Sequence, residues 1–505
     1  MPDARLSALD ASFLAAETSN AHMHVGWAAI CDPPADGPSP SFEELRDHIA
    51  SRLARAPRYR QRLADVPFGI ADPVWVDEDR FDIARHVLRA GGSTLDSIVN
   101  EAMSSRLERT RPLWEIWINP RLEDGRIGLV GKVHHCMVDG LAAVELASLL
   151  LDPTPSPPGE TDNWSPRPPP GRVELLINGV ASRIRQPLDL ASLTTRLVTQ
   201  PARVAQAAEK GRKAGLALAN SFRRPARPLP LLNDHSSSLR HLGRLSRSLD
   251  DLRTVKSHFG TTINDVVLAV SSGGMRRLLE DHREPPLSLK AMVPASLRGA
   301  TEADALGNRI SFLFVDLPVE EADPVDRLRK INRVTSARKA AGEPEGGEAV
   351  LSAMGYTPHL IQRALTRLIA HPWTFNLVVS NIPGPHEPLW MRGCQLREVY
   401  PVVPIADGHA LSIGVTTCED EMFFGLYADR KLLPDTDRLA KHIGDEIDLL
   451  LEVALEPAEK GRDNGQIERG KRDQQTPQRH KLDGAGFRRR EPARRRGDRL
   501  HDFNT

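Results

Sequence analysis

Ile127-Gly128-Leu129-Val130-Gly131-Lys132-Val133-His134-His135-Cys136-Met137-Val138-Asp139-Gly140 is the stretch on which the reading of this 505-residue chain turns. An apolar run ends on two histidines, and an aspartate and a glycine follow just before the amphipathic segment Leu141 to Leu151. The pattern is that of a strand delivering a base to the mouth of a helix. Successive strand residues point to opposite faces, so one of the two histidines can look into a cleft while the other supports it. Neutral imidazole accepts a proton near pH 7 and returns it later, which suits activation of a hydroxyl or amine. Asp139 can brace the turn or orient an imidazole, and Gly140 permits the backbone geometry that ends it.

Other readings of the same residues stand beside this one. An H-x-x-x-D spacing also arises structurally, with a core histidine and an aspartate capping the next helix. Two histidines and a carboxylate are the ligand set of many zinc and iron centres. Adjacent histidines on a strand point apart, however, and no further His-rich or Cys-rich cluster completes such a set, so no metal is assigned. Cys136 could be a nucleophile with His135 as its base, but a strand would turn it away, and packing is the role expected for it. The cysteines Cys31, Cys136, Cys394 and Cys418 are widely spaced and form no C-x-x-C pair, which speaks against a zinc ribbon or a disulfide framework.

Working outward, Glu115-Ile116-Trp117-Ile118 and Ile127 to Val133 read as two strands joined by a turn at Glu123-Asp124-Gly125, which places the histidine strand inside a sheet. Upstream, a strand is expected over Val25 to Ile30 and a helix from Phe42 to about Ala54, with Ser41 as its N-cap and Glu44 completing a capping box. Prolines crowd residues 153–159 and 166–171, where neither a helix nor a central strand can persist. Val173 to Phe222 repeats apolar residues at helical spacing among Arg183, Arg185, Arg196, Arg203, Lys210, Arg212 and Lys213, either a solvated face or one suited to an anionic membrane surface. Strands follow at Leu239 to Leu249, Leu287 to Val293, Ile310 to Leu317, Phe375 to Ser380, Gln395 to Val403, Ala410 to Thr417 and Glu421 to Tyr427, interleaved with helices. The alternation, twice over, makes this an α/β protein of two similar sandwiches. From Glu456 onward, arginine clusters among few apolar residues cannot bury a core, and disorder is expected.

Lys and Arg number 67, as do Asp and Glu, so no global polyanion partner is implied and nothing resembles a nucleic-acid module. The chain opens without the apolar core of a signal peptide, and no run approaches the roughly 20 apolar residues of a membrane span. A cytoplasmic protein, or one attached peripherally to a membrane or lipid droplet, is expected.

The H-H-x-x-x-D-G motif after an apolar strand resembles the signature of the wax ester synthase/diacylglycerol acyltransferase family, within the superfamily of chloramphenicol acetyltransferase, carnitine acyltransferases and condensation domains. Further blocks resemble the family in order: Leu6 to Leu14 with Met23-His24-Val25-Gly26, Arg111-Pro112-Leu113-Trp114-Glu115, Thr262-Ile263-Asn264-Asp265, Gly307-Asn308-Arg309-Ile310-Ser311, Ser380-Asn381-Ile382-Pro383-Gly384-Pro385 and Phe424 to Asp429. The resemblance implies two chloramphenicol acetyltransferase-like sandwich domains packed as a pseudo-dimer. On that basis residues 1–152 form the first domain, 153–236 a linker with amphipathic helices, 237–455 the second domain, and 456–505 a tail. It also implies transfer of a long-chain acyl group from acyl-CoA, a co-substrate rather than a bound cofactor, to diacylglycerol. His135 is then the general base, with His134 and Asp139 in support. Pro112, Leu113 and Trp114 shape an acyl channel or simply pack at a strand edge. Gly140, Asn264 and Asp265 adjoin the substrate, although Asn264 and Asp265 could equally cap a helix. A long-chain fatty alcohol is the alternative acceptor, and a non-catalytic lipid-binding shell is the alternative of a different class.

Overall fold

Asp124-Gly125 closes the expected hairpin. Gly125 takes φ +83°, a conformation open to a residue without Cβ, between β5 (Trp114–Asn119) and β6 (Ile127–His134). The computed structural model describes residues 5–137, 150–155, 162–181, 225–296, 310–340 and 359–456. All but the last two residues of the helix expected over Leu141 to Leu151, the basic stretch after residue 181, and the tail from residue 457 lie outside them.

β6 is buried at all eight positions, as a strand covered on both faces must be. It pairs antiparallel with β5 on one side and β1 (His24–Asp32) on the other. Two short strands are β2 (Gln61–Ala64) and β3 (Val74–Asp77), which pair with each other. β4 (Val87–Arg89) forms one edge of the main sheet, parallel to β5. The opposite edge comes from far along the chain: β12 (Cys394–Val402) pairs with β1, and β11 (Trp390–Met391) pairs with β12. The order of the first sheet is therefore β11-β12-β1-β6-β5-β4.

The second sheet runs β7-β14-β13-β10-β8-β9 and comprises β7 (Arg240–Ser248), β8 (Leu289–Ser296), β9 (Ile310–Leu317), β10 (Leu377–Ile382), β13 (Leu411–Cys418) and β14 (Glu421–Asp429). Its helical layer includes α4 (Leu249–Phe259), α5 (Ile263–Asp281), α6 (Pro324–Ala340) and α8 (Thr436–Leu455), while α7 (His359–Ile369) reaches the N-terminal helix. On the first side lie α1 (Ala8–Ala16), α2 (Phe42–Arg52) and α3 (Leu95–Ser104). α2 starts as expected, with reciprocal Ser41 and Glu44 capping. Each sheet has its own apolar core, and residues 1–455 make one compact unit.

β12 couples the sheets. While its Pro401 is still paired with Trp27 of β1, the strand crosses the paired glycines Gly414 and Gly425 of β13 and β14. A Cβ on Gly425 would stand 2.2 Å from the Pro401 carbonyl oxygen, so only glycine lets the two backbones approach. Gly425→Ala is expected to lower stability by roughly 1–3 kcal/mol, read as an earlier urea midpoint, because a backbone neighbour cannot rotate away. α3 adds polar ties across the same junction: Asp96 to Arg244 at 2.9 Å, and the Arg240 N–H to Ser104 Oγ at 3.0 Å.

Candidate active site

The strand ends one residue earlier than strict alternation requires. His134 is the last residue of β6, and His135 opens a 3-10 turn, His135–Met137. The two imidazoles still part company, but through the turn rather than through the pleat.

His134 lies opposite His24 on β1 and, by the two-residue repeat, on the same face as Lys132. Lys132 is wholly buried and satisfied, donating to the carbonyls of Ala102 (2.7 Å) and Ser105 (2.9 Å) and paired with Glu115 at 3.1 Å. The His134 N–H donates to Leu113 O at 2.9 Å, and its Nδ1 accepts the Cys136 N–H at 3.1 Å. That second bond puts the ring proton on Nε2, which faces Glu17 at 4.0 Å. Glu17 is already paired with Arg106 and Arg109. Burial, reinforced by Arg109, pulls the His134 pKa down to about 3. His134 is thus a neutral brace that closes the turn.

His135 is only partly covered. Its N–H donates to Met23 O at 3.0 Å, and its ring stacks on Phe13 of α1 with centroids 3.6 Å apart and planes 18° from parallel. Desolvation lowers its pKa to about 4, so the imidazole is neutral and able to accept a proton throughout the physiological range. Met23 holds φ +50°, a left-handed conformation that a non-glycine residue adopts at a cost, and this aims its carbonyl at the turn. Cys136 is buried, and burial drives its thiol pKa upward, away from the thiolate a nucleophile needs. Because kcat/KM reports the free enzyme, it should hold level from pH 8 to about 5 and fall only toward pH 4 in initial-rate assays; a half-loss near 6.5 would mean that the base titrates as in water.

Asp139 and Gly140 lie outside the described residues. The block before β5 serves the motif from behind. Leu113 and Trp114 are essentially inaccessible, and the Trp114 indole donates to Tyr59 O at 2.7 Å and stacks on His86 at 4.7 Å. Pro112 is buried with them. Thr262, not Asn264 or Asp265, caps α5. Asp265 completes its capping box and also accepts from Thr335 (2.6 Å) and Asn332 (2.9 Å). Burial raises the Asp265 pKa, but these hydrogen bonds outweigh it and the net shift is downward. Asn264 stays exposed and accepts from Asn381 Nδ2 at 2.6 Å, joining two blocks that stand 117 residues apart.

Between the sheets lies a cavity of about 590 Å³. β1 contributes Trp27, Ala29 and Cys31; β12 contributes Leu396 and Val399; and Ile382, Pro383 and Gly384 close it from the end of β10. Among the described residues, Arg55 is the one charged group in its wall. Neither His135 nor the Pro112-Leu113-Trp114 block lines it. Among the wall residues, Trp27 is the register partner of Gly131, four residues or about 13 Å of strand before His135. Its ring packs flat enough on Gly131 that a Cβ there would meet it at 2.7 Å. Among the described residues no group of three His, Cys, Asp or Glu side chains is placed to hold a metal ion, and no helix is long and apolar enough to cross a membrane.

Comparison with known proteins agrees with this architecture over nearly the whole described chain. The wax ester synthase/diacylglycerol acyltransferase catalytic domain matches residues 6–267, and the C-terminal domain of the same family matches 306–451. The chain belongs to this family. A probable diacylglycerol O-acyltransferase of Mycobacterium tuberculosis is 30% identical over 465 residues, 89% of this chain and 96% of that protein. A putative diacylglycerol O-acyltransferase of Mycobacterium bovis is 32% identical over 449 residues, 86% and 96% of the two chains. Among solved structures, the wax ester synthase/diacylglycerol acyltransferase of Marinobacter aquaeolei superposes with a TM-score of 0.64 at 26% identity, covering 89% of this chain and 99% of that one. The first condensation domain of the calcium-dependent antibiotic synthetase shares the fold at 15% identity and TM-score 0.54. The α/β architecture expected from the motif is thus that of these two-domain enzymes.

Sequence reasoning passed over Phe13, Met23 and Asn381 as site residues. All three stand inside the quoted blocks, but nothing in those blocks signals a ring stack, a left-handed backbone or a contact across 117 positions.

Proposed function

We propose that the protein is an acyl-CoA-dependent O-acyltransferase that joins a long-chain acyl group to diacylglycerol, forming triacylglycerol, with His135 as the general base. The observation that carries this reading is a neutral, partly open imidazole presented by the turn at the end of β6, in a two-sheet frame whose large apolar cavity suits a hydrocarbon chain. His135 takes the proton of the acceptor hydroxyl as that oxygen attacks the thioester carbonyl. The tetrahedral intermediate collapses with cleavage of the C–S bond, and the imidazolium returns the proton to the departing thiolate. No acyl-enzyme is needed, in keeping with the inert Cys136. His134 holds the turn, and Asn264, steadied by Asn381, belongs to the acceptor side. A long-chain alcohol fits the same chemistry, because the base acts on a hydroxyl and the cavity on methylenes.

The water-insoluble acceptor is met at a membrane or droplet surface. Within the helix over residues 172–181, Val173, Ile177 and Val180 are exposed at i, i+4 and i+7, and Phe68 is 91% exposed nearby in sequence to Val66 and Ile70, on which that helix rests. The test is release of free coenzyme A from palmitoyl-CoA with diacylglycerol or hexadecanol supplied in turn, with the ester identified by mass. Acceptor-dependent release ranks the two acceptors. No release from folded protein would sink the enzyme reading in favour of a lipid-binding shell.

A further inference from the structure

We propose that Phe13 is a positioning residue for the base, its ring fixing the plane and rotamer of the His135 imidazole. The proposal rests on the reading of His135 as the base.

Histidines that act as bases are commonly oriented by a hydrogen bond from the ring nitrogen that does not react. Among the described residues no group supplies that device to the ring: the buried Nδ1 of His135 has no hydrogen-bond partner there. Two contacts of another kind take its place. The backbone is tied by the Met23 carbonyl, and the ring by a face-to-face stack on Phe13 at 3.6 Å. An unsupported imidazole turns freely about its last torsion, which is broad and roughly two-fold. A flat partner against one face removes that freedom without blocking either nitrogen in the ring plane.

The contact is built in from the fold. α1 is set by its Ser7 N-cap, whose side chain accepts from the Asp10 N–H, and the helix packs between the His135 turn and α7. Phe13 lies on the second turn of α1 and contributes no polar atom, so the stack also keeps water from one face of the ring. Among the described residues the ionisable groups around the turn are His134 and Lys132 on the strand, His24 on β1 opposite His134, Asp10 and Glu17 on the N-terminal side, and Arg106 and Arg109 after α3. Glu17 is paired with both arginines. Arg367 is the described cation of α7. None of these changes when Phe13 is replaced by another uncharged residue, so a change in titration reports on the stack.

The test compares Phe13→Leu, Phe13→Tyr and His135→Ala with the full-length wild type. Phe13→Leu keeps apolar volume but has no flat face. It is expected to lower kcat about three- to tenfold, to leave KM for palmitoyl-CoA within about twofold, and to move the acid limb of kcat/KM upward toward the ordinary histidine value. Phe13→Tyr keeps the stack and should restore both kcat and the limb. A purely structural role would lower thermal stability in Phe13→Leu without moving the limb, and that outcome, with His135→Ala inactive, would overturn this proposal alone. Activity retained in His135→Ala would overturn it together with the assignment of the base.

Discussion

His135→Ala is expected to lower kcat by about 10² to 10⁴, the usual contribution of a positioned general base, while KM for palmitoyl-CoA changes little. The expectation follows from where the imidazole stands. Its ring stacks on Phe13, and its Nδ1 has no hydrogen-bond partner among the described residues, so alanine removes proton transfer without stranding a buried partner there. His134→Ala makes the contrast, because it deletes the acceptor of the Cys136 N–H and disturbs the turn. It should cost stability as well as rate. Cys136→Ser should keep most of the activity if no acyl-enzyme forms. The decisive measurement is initial-rate coenzyme A release by the three variants at pH 7.5, with urea midpoints taken alongside. Rates in His135→Ala within tenfold of wild type would remove His135 from the proton transfer, and loss of all turnover in Cys136→Ser with unchanged stability would point to a covalent route.

The elements that could be read from residue order are those whose cause is local. The Asp124-Gly125 turn between two apolar runs gave the hairpin, and Ser41 with Glu44 gave the start of α2, because a turn and a cap are decided within four residues. The boundary of β6 was less accessible. Alternation describes a strand for as long as it lasts, but the 3-10 turn at His135 is held by Met23, more than a hundred positions earlier, whose left-handed backbone no neighbour announces. The same holds for Thr262: both it and Asn264 are good caps by type, and only the geometry of Asp265 decides between them. Sheet order was also out of reach. β12 pairs with β1 while Gly425 admits the Pro401 backbone and Gly414 its side chain, a long-range fit that leaves two glycines and no pattern. The candidate base was legible because its motif is contiguous; Phe13, Met23 and Asn381 were not, because their importance lies in what they touch.

The protein should lose stability steeply between about pH 6.5 and pH 4, the range over which unfolded histidines take up protons that the folded chain refuses. Burial holds His135 and His409 down to about 4 and His134 to about 3, and it drives His24 well below its ordinary value. Above 6.5 each is neutral in both states and contributes no pH dependence. As pH falls below 6.5 the unfolded chain binds the proton first, so folding loses up to ~1.4 kcal/mol per pH unit per histidine until the folded pKa is reached. Through each of His135 and His409 the loss is on the order of 3 kcal/mol, and His134 adds in the same direction. His241 runs the other way, since its bond to Asp437 raises its pKa and its contribution is lost as pH rises, but it is one partly exposed group against several buried ones. His409 separates this effect from catalysis. It stacks on Phe375 at 4.3 Å in the second half of the chain, away from the motif. Urea midpoints at pH 7.5, 6.0 and 5.0 should fall in sequence, and His409→Gln should flatten the slope while leaving the acid limb of kcat/KM where it was. A midpoint constant from pH 7.5 to 5.0 would mean that these imidazoles titrate in the folded protein as they do in water, and the neutral state assigned to His135 would fall with them.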